Sequence, residues 1–133
     1  MSATVICEYD ITIHEGSTYD KVFQWLADDV IVSLSGVTGI MQVREDIIDE
    51  TPILDLPFVP DAWAADGTSG IYMMDVGSDD RYRIYINNED TAGICTLHDD
   101  IVGTYNLFLY NSDAECILKQ YGVANLIAAV IRD

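Results

Sequence analysis

The chain has 133 residues, half of them hydrophobic, and its 23 acidic residues against six basic ones give a net charge of −17. This length suits a single domain, residues 1–133, whose core needs no disulfide bonds. The shortage of basic residues argues against direct contact with nucleic acid, and no apolar run approaches the ~20 residues of a membrane-spanning helix. The N-terminus lacks a basic region followed by an apolar block, so we expect no signal peptide and assembly in a cytosol.

The first third of the chain consists of short apolar runs separated by turn signals, which is typical of antiparallel β-proteins. Strands are predicted for residues 5–13, 18–26, 30–34 and 40–44. Ala27, Asp28 and Asp29 form a polar turn that predicts a hairpin between the second and third of these strands. Gly36 and Gly39 bracket a corner that leads into the fourth strand, because glycine permits sharp bends.

The middle of the chain is predicted to be less regular. Residues 45–50 form an acidic turn region in which one short helical turn is an alternative. Three prolines confine residues 53–59 to an edge strand or an extended loop, because proline cannot donate to a sheet ladder. Residues 61–70 are predicted to be an irregular loop, since the glycines within them favour turns.

The remainder of the chain returns to strands, predicted for residues 71–76, 81–86, 105–110 and 115–121. A turn at residues 111–114 makes a hairpin of the last two strands, and Asn87 or Asn88 is the expected N-cap of a single helical turn. Gly122 is predicted to end its strand, and residues 123–131 form a further strand or a short helix, of which the all-β context favours the strand. The sequence therefore predicts an all-β fold, an antiparallel β-sandwich or jelly-roll-like barrel of about 8–10 short strands.

Two histidines are the candidate catalytic groups. His14 stands beside Glu15, and His98 stands beside Asp99 and Asp100, so a histidine–carboxylate pair is conceivable. No nucleophile lies in a Gly-x-Ser-x-Gly setting or another legible catalytic arrangement. We therefore predict that the chain is not an enzyme.

Acidic pairs and cysteines are the candidate metal ligands. The acidic pairs are Asp28-Asp29, Asp79-Asp80 and Asp99-Asp100. Calcium prefers several carboxylate oxygens, but no Asp-x-Asp-x-Asp-Gly loop is present, and adjacent acids in a turn are usually solvated. Cys7, Cys95 and Cys116 lack metal-ligand spacing and are predicted to be buried thiols. No metal or cofactor is expected.

Aromatic residues are the best candidates for contact with a partner. Tyr82, Tyr105 and Tyr110 would form a sugar-binding platform if they shared one exposed face, although tyrosines of this kind are more often core or interface anchors. Trp63 lies in the loop rich in glycine and alanine, where a role in the core is less obvious. The predicted interface residues are Trp63, Arg44, Ile127, Tyr82 and Tyr110.

Several short motifs resemble those of small β-sandwich virion proteins of tailed bacteriophages. The first is Gly16-Ser17-Thr18-Tyr19, on an early strand, and the second is the leucine–glycine corner and strand at residues 34–44, which ends in Val-Arg. Later motifs are the Tyr-x-Leu strand at residues 105–107, the turn and strand up to Gly122, and the final apolar segment at residues 123–132. The chain departs from the family in its extended middle, residues 51–80, and in lacking an appended fibre or stem.

The resemblance implies a capsid decoration, or cement, protein that stabilises the assembled phage capsid by bridging capsomers. Its expected partners are the major capsid protein or another virion protein, together with copies of itself in a dimer or trimer. The expected location is the virion, assembled in the host cytoplasm, without contact to nucleic acid or membrane. The alternatives are a tail, neck or baseplate adaptor and, more distantly, a carbohydrate-binding module.

Overall fold

A computed structural model describes residues 4–27, 29–46, 51–60, 67–74, 80–95 and 99–129. Within these ranges the chain forms twelve strands and one short helix. The first six strands are β1 (Val5–Glu8), β2 (Ile11–His14), β3 (Tyr19–Phe23), β4 (Leu26–Ala27), β5 (Val30–Ile31) and β6 (Thr38–Arg44). The other elements are β7 (Leu54–Leu56), β8 (Phe58–Val59), β9 (Gly70–Met74), β10 (Arg81–Ile86), helix α1 (Asn88–Thr91), β11 (Ile101–Tyr110) and β12 (Cys116–Ile127).

Two sheets contain most of the strands. The large sheet has the order β1-β12-β11-β6-β7, and β2 follows β1 along the same side of β12. The small sheet has the order β3-β10-β9-β8, and β4 and β5 form a separate two-stranded hairpin. None of these sheets closes into a barrel within the described ranges. The prediction of an all-β sandwich is therefore confirmed, and the barrel alternative is not the one observed.

The core lies between the two sheets and follows from the alternation of side chains along each strand. In β11 the inward residues Tyr105, Leu107 and Leu109 are completely buried, whereas the residues between them are half-buried. Gly39 allows the sheets to approach closely, because a Cβ there would lie 2.8 Å from side-chain atoms of both Ile71 and Leu109. The glycine of the predicted corner is therefore needed for close packing between the large and the small sheet.

Three strand pairs are parallel, which corrects the antiparallel prediction. β1 and β2 both run parallel to β12, and β8 runs parallel to β9. The hairpin of β11 and β12 is antiparallel as predicted. Local periodicity identifies a strand but not its partner more than a hundred residues away. The pairing of β1 and β2 with β12 could therefore not be predicted from the alternation of residues along each strand.

Gly122 does not end its strand, and that prediction is wrong. β12 runs without interruption through Gly122, with Tyr105 of β11 as its partner in register. A Cβ at this position would lie 2.4 Å from the carbonyl oxygen of Tyr9. The glycine is needed because the chain between β1 and β2 lies close against β12 there, and Asp10 Oδ1 accepts a 2.9 Å hydrogen bond from the Val123 amide.

Other local predictions are confirmed. The hairpin after Leu26 forms, with Leu26 opposite Ile31, and Asn87 caps α1 by accepting a 2.9 Å hydrogen bond from the Glu89 amide. The proline-rich segment provides edge strands, since β7 and β8 lie at the edges of different sheets. Residues 47–50 and 61–66 lie outside the described ranges, so the predictions for them are not resolved.

Candidate interaction surfaces

The outer face of the large sheet carries an unusual set of exposed apolar side chains. We call this surface the open face; it consists of the outward side chains of β1, β2, β12, β11, β6 and β7. Its most exposed apolar residues are Val102 at 71 %, Ile6 at 66 %, Ile40 at 42 % and Val123 at 37 %. Its half-buried apolar or aromatic residues are Phe108, Tyr110, Tyr121 and Ile127.

Cross-strand register places these residues side by side. Ile6, Lys119, Phe108 and Ile40 are successive partners across four strands and form one row over the sheet. The Lys119 ammonium lies 5.8 Å from the Phe108 ring centroid and 5.7 Å from that of Tyr121, within reach of a cation–π contact. The centre of the open face is therefore aliphatic and aromatic, and the Lys119 ammonium there lies close to two aromatic rings.

Charge is distributed on the open face differently from the chain as a whole. The outward strand residues include two cations, Lys119 and Arg44, and two carboxylates, Glu8 and Asp55. Glu8 lies on β1 and Asp55 on β7, the strands at the two edges of this sheet. The formal charge of these outward strand side chains thus sums to zero, although the whole chain carries −17.

A second apolar surface lies where the two sheets open beside β1. We call it the edge groove; it has a volume of about 340 Å³ and is lined by Val5, Cys7, Gln24, Trp25, Leu26, Tyr82 and Leu118. Leu26 is 54 % exposed at its rim. Because side chains alternate along a strand, Val5 and Cys7 lie on the opposite side of β1 from Ile6. The edge groove and the open face are thus separate surfaces.

A larger cleft of about 620 Å³ lies beside α1 and is mainly polar. Its polar groups form hydrogen bonds with one another. The Ser69 hydroxyl donates to the Asp90 carboxylate and accepts a 2.7 Å hydrogen bond from the backbone amide of Asn87. Asn87 Nδ2 also donates to the Gly67 carbonyl at 2.7 Å. These bonds tie the chain before β9 to the helix, which is a structural role.

The open face brings together three of the five predicted interface residues, Arg44, Tyr110 and Ile127. Arg44 pairs in register with Thr104, Tyr110 with Thr38 and Ile127 with His14. Sequence reasoning did not select Ile6, Phe108, Val102 or Lys119. Their period-2 alternation was visible, but their alignment into rows depends on strand register.

The structure corrects the interpretation of two tyrosines. Tyr82 is only 4 % exposed and Tyr105 is fully buried, and both point into the core. Tyr110 lies on the other side of the large sheet, so the proposed platform of three tyrosines does not exist. Tyr82 lines the bottom of the edge groove but offers a partner almost no surface. Trp63 lies outside the described ranges.

The histidines and carboxylates considered for catalysis do not form a catalytic pair in the described part of the chain, because Glu15 and Asp100 accept hydrogen bonds from the backbone. His14 is exposed on β2, whereas the neighbouring Glu15 carboxylate accepts backbone hydrogen bonds from Cys95 at 2.8 Å and from Ala129 at 3.0 Å. Glu15 thereby joins the segment before β11 to the end of β12. His98 lies outside the described ranges, and Asp100 accepts a 2.8 Å hydrogen bond from the Ala128 amide.

The candidate metal ligands also have other roles. Asp80 is completely buried and accepts a 2.7 Å hydrogen bond from the Leu34 amide, which ties the leucine–glycine corner to the start of β10. Asp28 and Asp79 lie outside the described ranges. In the part of the chain that the structure describes, no group of three or more His, Cys, Asp or Glu side chains is arranged to hold a metal ion.

The cysteines only partly match their predicted environment. Cys95 is buried as predicted, and its burial raises the pKa of the thiol. Cys116 is half-buried, whereas Cys7 is exposed on β1, which corrects the prediction for that residue. All three are free thiols.

Comparisons with known proteins do not assign the chain to a family: no family model matches it, and no curated protein shows significant sequence similarity. None of the described helical residues belongs to a helix long and apolar enough to cross a membrane.

Proposed function

We propose that this chain is a structural protein of a phage virion that binds the assembled capsid and stabilises it by bridging its subunits. The observation that best supports this proposal is the presence of two separate exposed apolar surfaces, the open face and the edge groove. A bridging protein needs two contact surfaces, and large exposed apolar patches on small proteins typically mark interaction sites.

The physical requirements of such a protein are few. It needs a rigid scaffold, apolar contacts and many identical copies arranged by symmetry. A protein that binds only the assembled lattice stabilises that lattice by mass action. The strongly acidic character of the chain also suits a protein beside packaged DNA, because like charges repel the phosphate backbone.

The assignment to a virion rests on the sequence motifs that resemble small phage sandwich proteins. The expected partner is the major capsid protein or another virion protein, and assembly takes place in the host cytoplasm. A tail, neck or baseplate adaptor would use the same two surfaces and is the runner-up. The two roles differ in copy number, because decoration follows the many capsomers of a head whereas an adaptor follows a single ring.

Quantitative mass spectrometry of particles purified from the native source tests the proposal. On the order of hundreds of copies per particle would support capsid decoration, since copies of the chain would follow the lattice symmetry. A copy number that fits one ring would support the adaptor role and overturn the decoration role. Absence of the chain from the particles would overturn the virion assignment altogether.

A rebinding assay tests the contact surfaces. Purified protein is added to particles that lack it, and binding is compared for Val102→Asp on the open face, Leu26→Asp at the edge groove and Val22→Asp as control. Val22 is 37 % exposed on the outer side of β3, away from both surfaces. We expect both surface variants to bind more weakly than the wild type and the control to keep full binding. Equal binding by all three would contradict the proposed use of these surfaces.

A further inference from the structure

We infer that the open face is occupied by a second copy of this chain, packed sheet against sheet around a twofold axis. This inference deepens the proposed function and rests on it for the biological setting of the pair. It goes further by assigning one surface to self-association, which leaves the edge groove for other contacts.

Charge is the first argument for a second copy as the occupant. Two copies of a chain with net charge −17 repel one another over most surfaces. The outward strand side chains of the open face carry Lys119 and Arg44 against Glu8 and Asp55, so two such faces meet without net repulsion between them.

The position of the charges within the face supports the same conclusion. The two carboxylates lie on the edge strands, and the row of Ile6, Lys119, Phe108 and Ile40 crosses the interior of the face. Protein–protein contacts typically have an apolar, aromatic centre and a polar rim. When the face is covered, the Lys119 ammonium keeps its contacts with the Phe108 and Tyr121 rings, and cation–π contacts strengthen on desolvation.

The size of the open face is the second argument. Five neighbouring strands at ~4.8 Å spacing make it about 24 Å wide. The register of β6 against β11, from Thr38 to Arg44, extends it over about 24 Å in the other direction. The projected area is therefore roughly 580 Å², and the accessible surface is larger because the side chains project from it. Stable interfaces bury about 800 Å² per partner, so the open face is of the size that such an interface needs.

The geometry of sheet packing is the third argument. Two β-sheets pack face to face at a separation of about 10 Å when their facing side chains interdigitate. The open face offers β-branched and aromatic side chains with few long charged ones, which suits such packing. The large sheet would then be covered on both sides, by the small sheet within the chain and by the other copy outside it.

The test compares self-association of the wild-type chain with two matched variants by analytical ultracentrifugation. Val102→Asp adds a carboxylate to the open face at a residue that is 71 % exposed, and Val30→Asp makes the same change at a residue that is 66 % exposed in the β4–β5 hairpin. We expect a wild-type dimer, at least ~10-fold weaker association for Val102→Asp, and no change for Val30→Asp. Circular dichroism confirms that each variant is folded.

Three results would overturn the inference. The first is a monomeric wild-type chain at concentrations on the order of 100 μM. The second is a dimer that Val102→Asp leaves intact, and the third is a dimer that Val30→Asp disrupts equally. Val102→Ser, which adds no charge, is expected to weaken the dimer less than Val102→Asp, and the opposite order would also contradict the inference.

Salt gives an independent readout. Higher ionic strength screens repulsion between the acidic bodies of the two copies, so the dimer is expected to tighten with added salt. Weaker association with added salt would indicate contact between opposite charges and would contradict apolar packing. The two proposals can fail separately. If the chain dimerises in solution but is absent from native particles, only the proposed function is overturned. If the chain is present in those particles but is monomeric in solution, only this inference is overturned.

Discussion

The Tyr82 hydroxyl donates a 2.6 Å hydrogen bond to Oε1 of Gln120, and this bond joins the small sheet to the large sheet inside the core. Gln120 Nε2 in turn donates to the Tyr105 hydroxyl at 3.0 Å, and the Tyr105 hydroxyl donates to the Tyr9 carbonyl. The side chains of Tyr82, Gln120 and Tyr105 are all buried. One continuous chain of hydrogen bonds therefore fixes the position of β10 relative to β12, β11 and the segment between β1 and β2.

Tyr82→Phe removes the donor to Gln120 and leaves a buried amide oxygen without that hydrogen bond. We expect a loss of about 1–3 kcal/mol in the free energy of unfolding, because an unsatisfied buried acceptor carries its full desolvation penalty. Urea denaturation measures the change. Tyr110→Phe, on the open face, is the control and should change stability by less than ~0.5 kcal/mol. Equal stability of the two variants would contradict a role for the buried network.

The buried tyrosines make stability depend on alkaline pH. Burial raises the pKa of Tyr105 to about 12, and burial also raises the pKa of Tyr82. Between the ordinary tyrosine value near 10 and these raised values, the unfolded chain has lost protons that the folded chain keeps. The unfolding free energy is therefore unaffected by these groups below pH ~10 and falls above it, by up to about 1.4 kcal/mol per pH unit for each tyrosine.

Urea denaturation at several pH values between about 8 and 11.5 measures this slope. Tyr82→Phe should reduce the slope above pH ~10, because the proton linked to Tyr82 is removed. Tyr110→Phe should leave the contribution of Tyr82 and Tyr105 in place. A wild-type unfolding free energy that stays constant up to pH ~11.5 would contradict the raised pKa values.

Gly122→Ala tests the close approach of the segment between β1 and β2 to β12. The added Cβ would lie 2.4 Å from the Tyr9 carbonyl oxygen and 2.8 Å from Asp10 Oδ1, so the backbone between β1 and β2 has to move. We expect a cost of about 2–3 kcal/mol, typical of overpacking. Hydrogen exchange should also show lost protection of amides in β1, which the displaced backbone connects to β2.

Gly16→Ala is the control for that substitution. Gly16 has a φ of +78° and no neighbouring atom within 4 Å of an added Cβ, so only backbone strain of about 1 kcal/mol is expected. The exchange protection of β1 should remain. If Gly122→Ala cost no more than Gly16→Ala and left β1 protected, the close approach to β12 would not require glycine.

Ile127 and Leu126 are neighbours in β12 whose side chains lie on opposite sides of the sheet. Substitutions at these two positions distinguish an effect on self-association from an effect on folding. Ile127 is half-buried on the open face, whereas Leu126 is fully buried in the core. We expect Ile127→Asp to fold and to lose self-association by about 10-fold. Leu126→Asp should not fold, because a buried carboxylate without a partner is strongly destabilising.

Circular dichroism and ultracentrifugation of the two β12 variants distinguish these effects. If Ile127→Asp were as unfolded as Leu126→Asp, the outer side of β12 would be part of a core rather than a contact surface. If Ile127→Asp folded and associated like the wild type, this end of the open face would lie outside the dimer contact.

Much of the local structure was determined by the sequence. The alternation of residues 81–86 predicted β10 with its correct inward side, and the Asn87-Asn88 pair predicted a capped helical turn, of which Asn87 is the cap. The acidic turn after Leu26 predicted its hairpin. These features depend on backbone conformation and on neighbours a few residues apart, so composition and spacing are sufficient to indicate them.

Only the tertiary structure decided which strands meet. The pairing of the first strands with β12 made Gly122 a point of close approach between backbones, although in the sequence it marked the end of a strand. The same pairing placed Ile6 in one row with Lys119 and Phe108 and formed the open face. Strand register is set by packing of whole sheets and by contacts across more than a hundred residues, so it cannot be derived from alternation within any single strand.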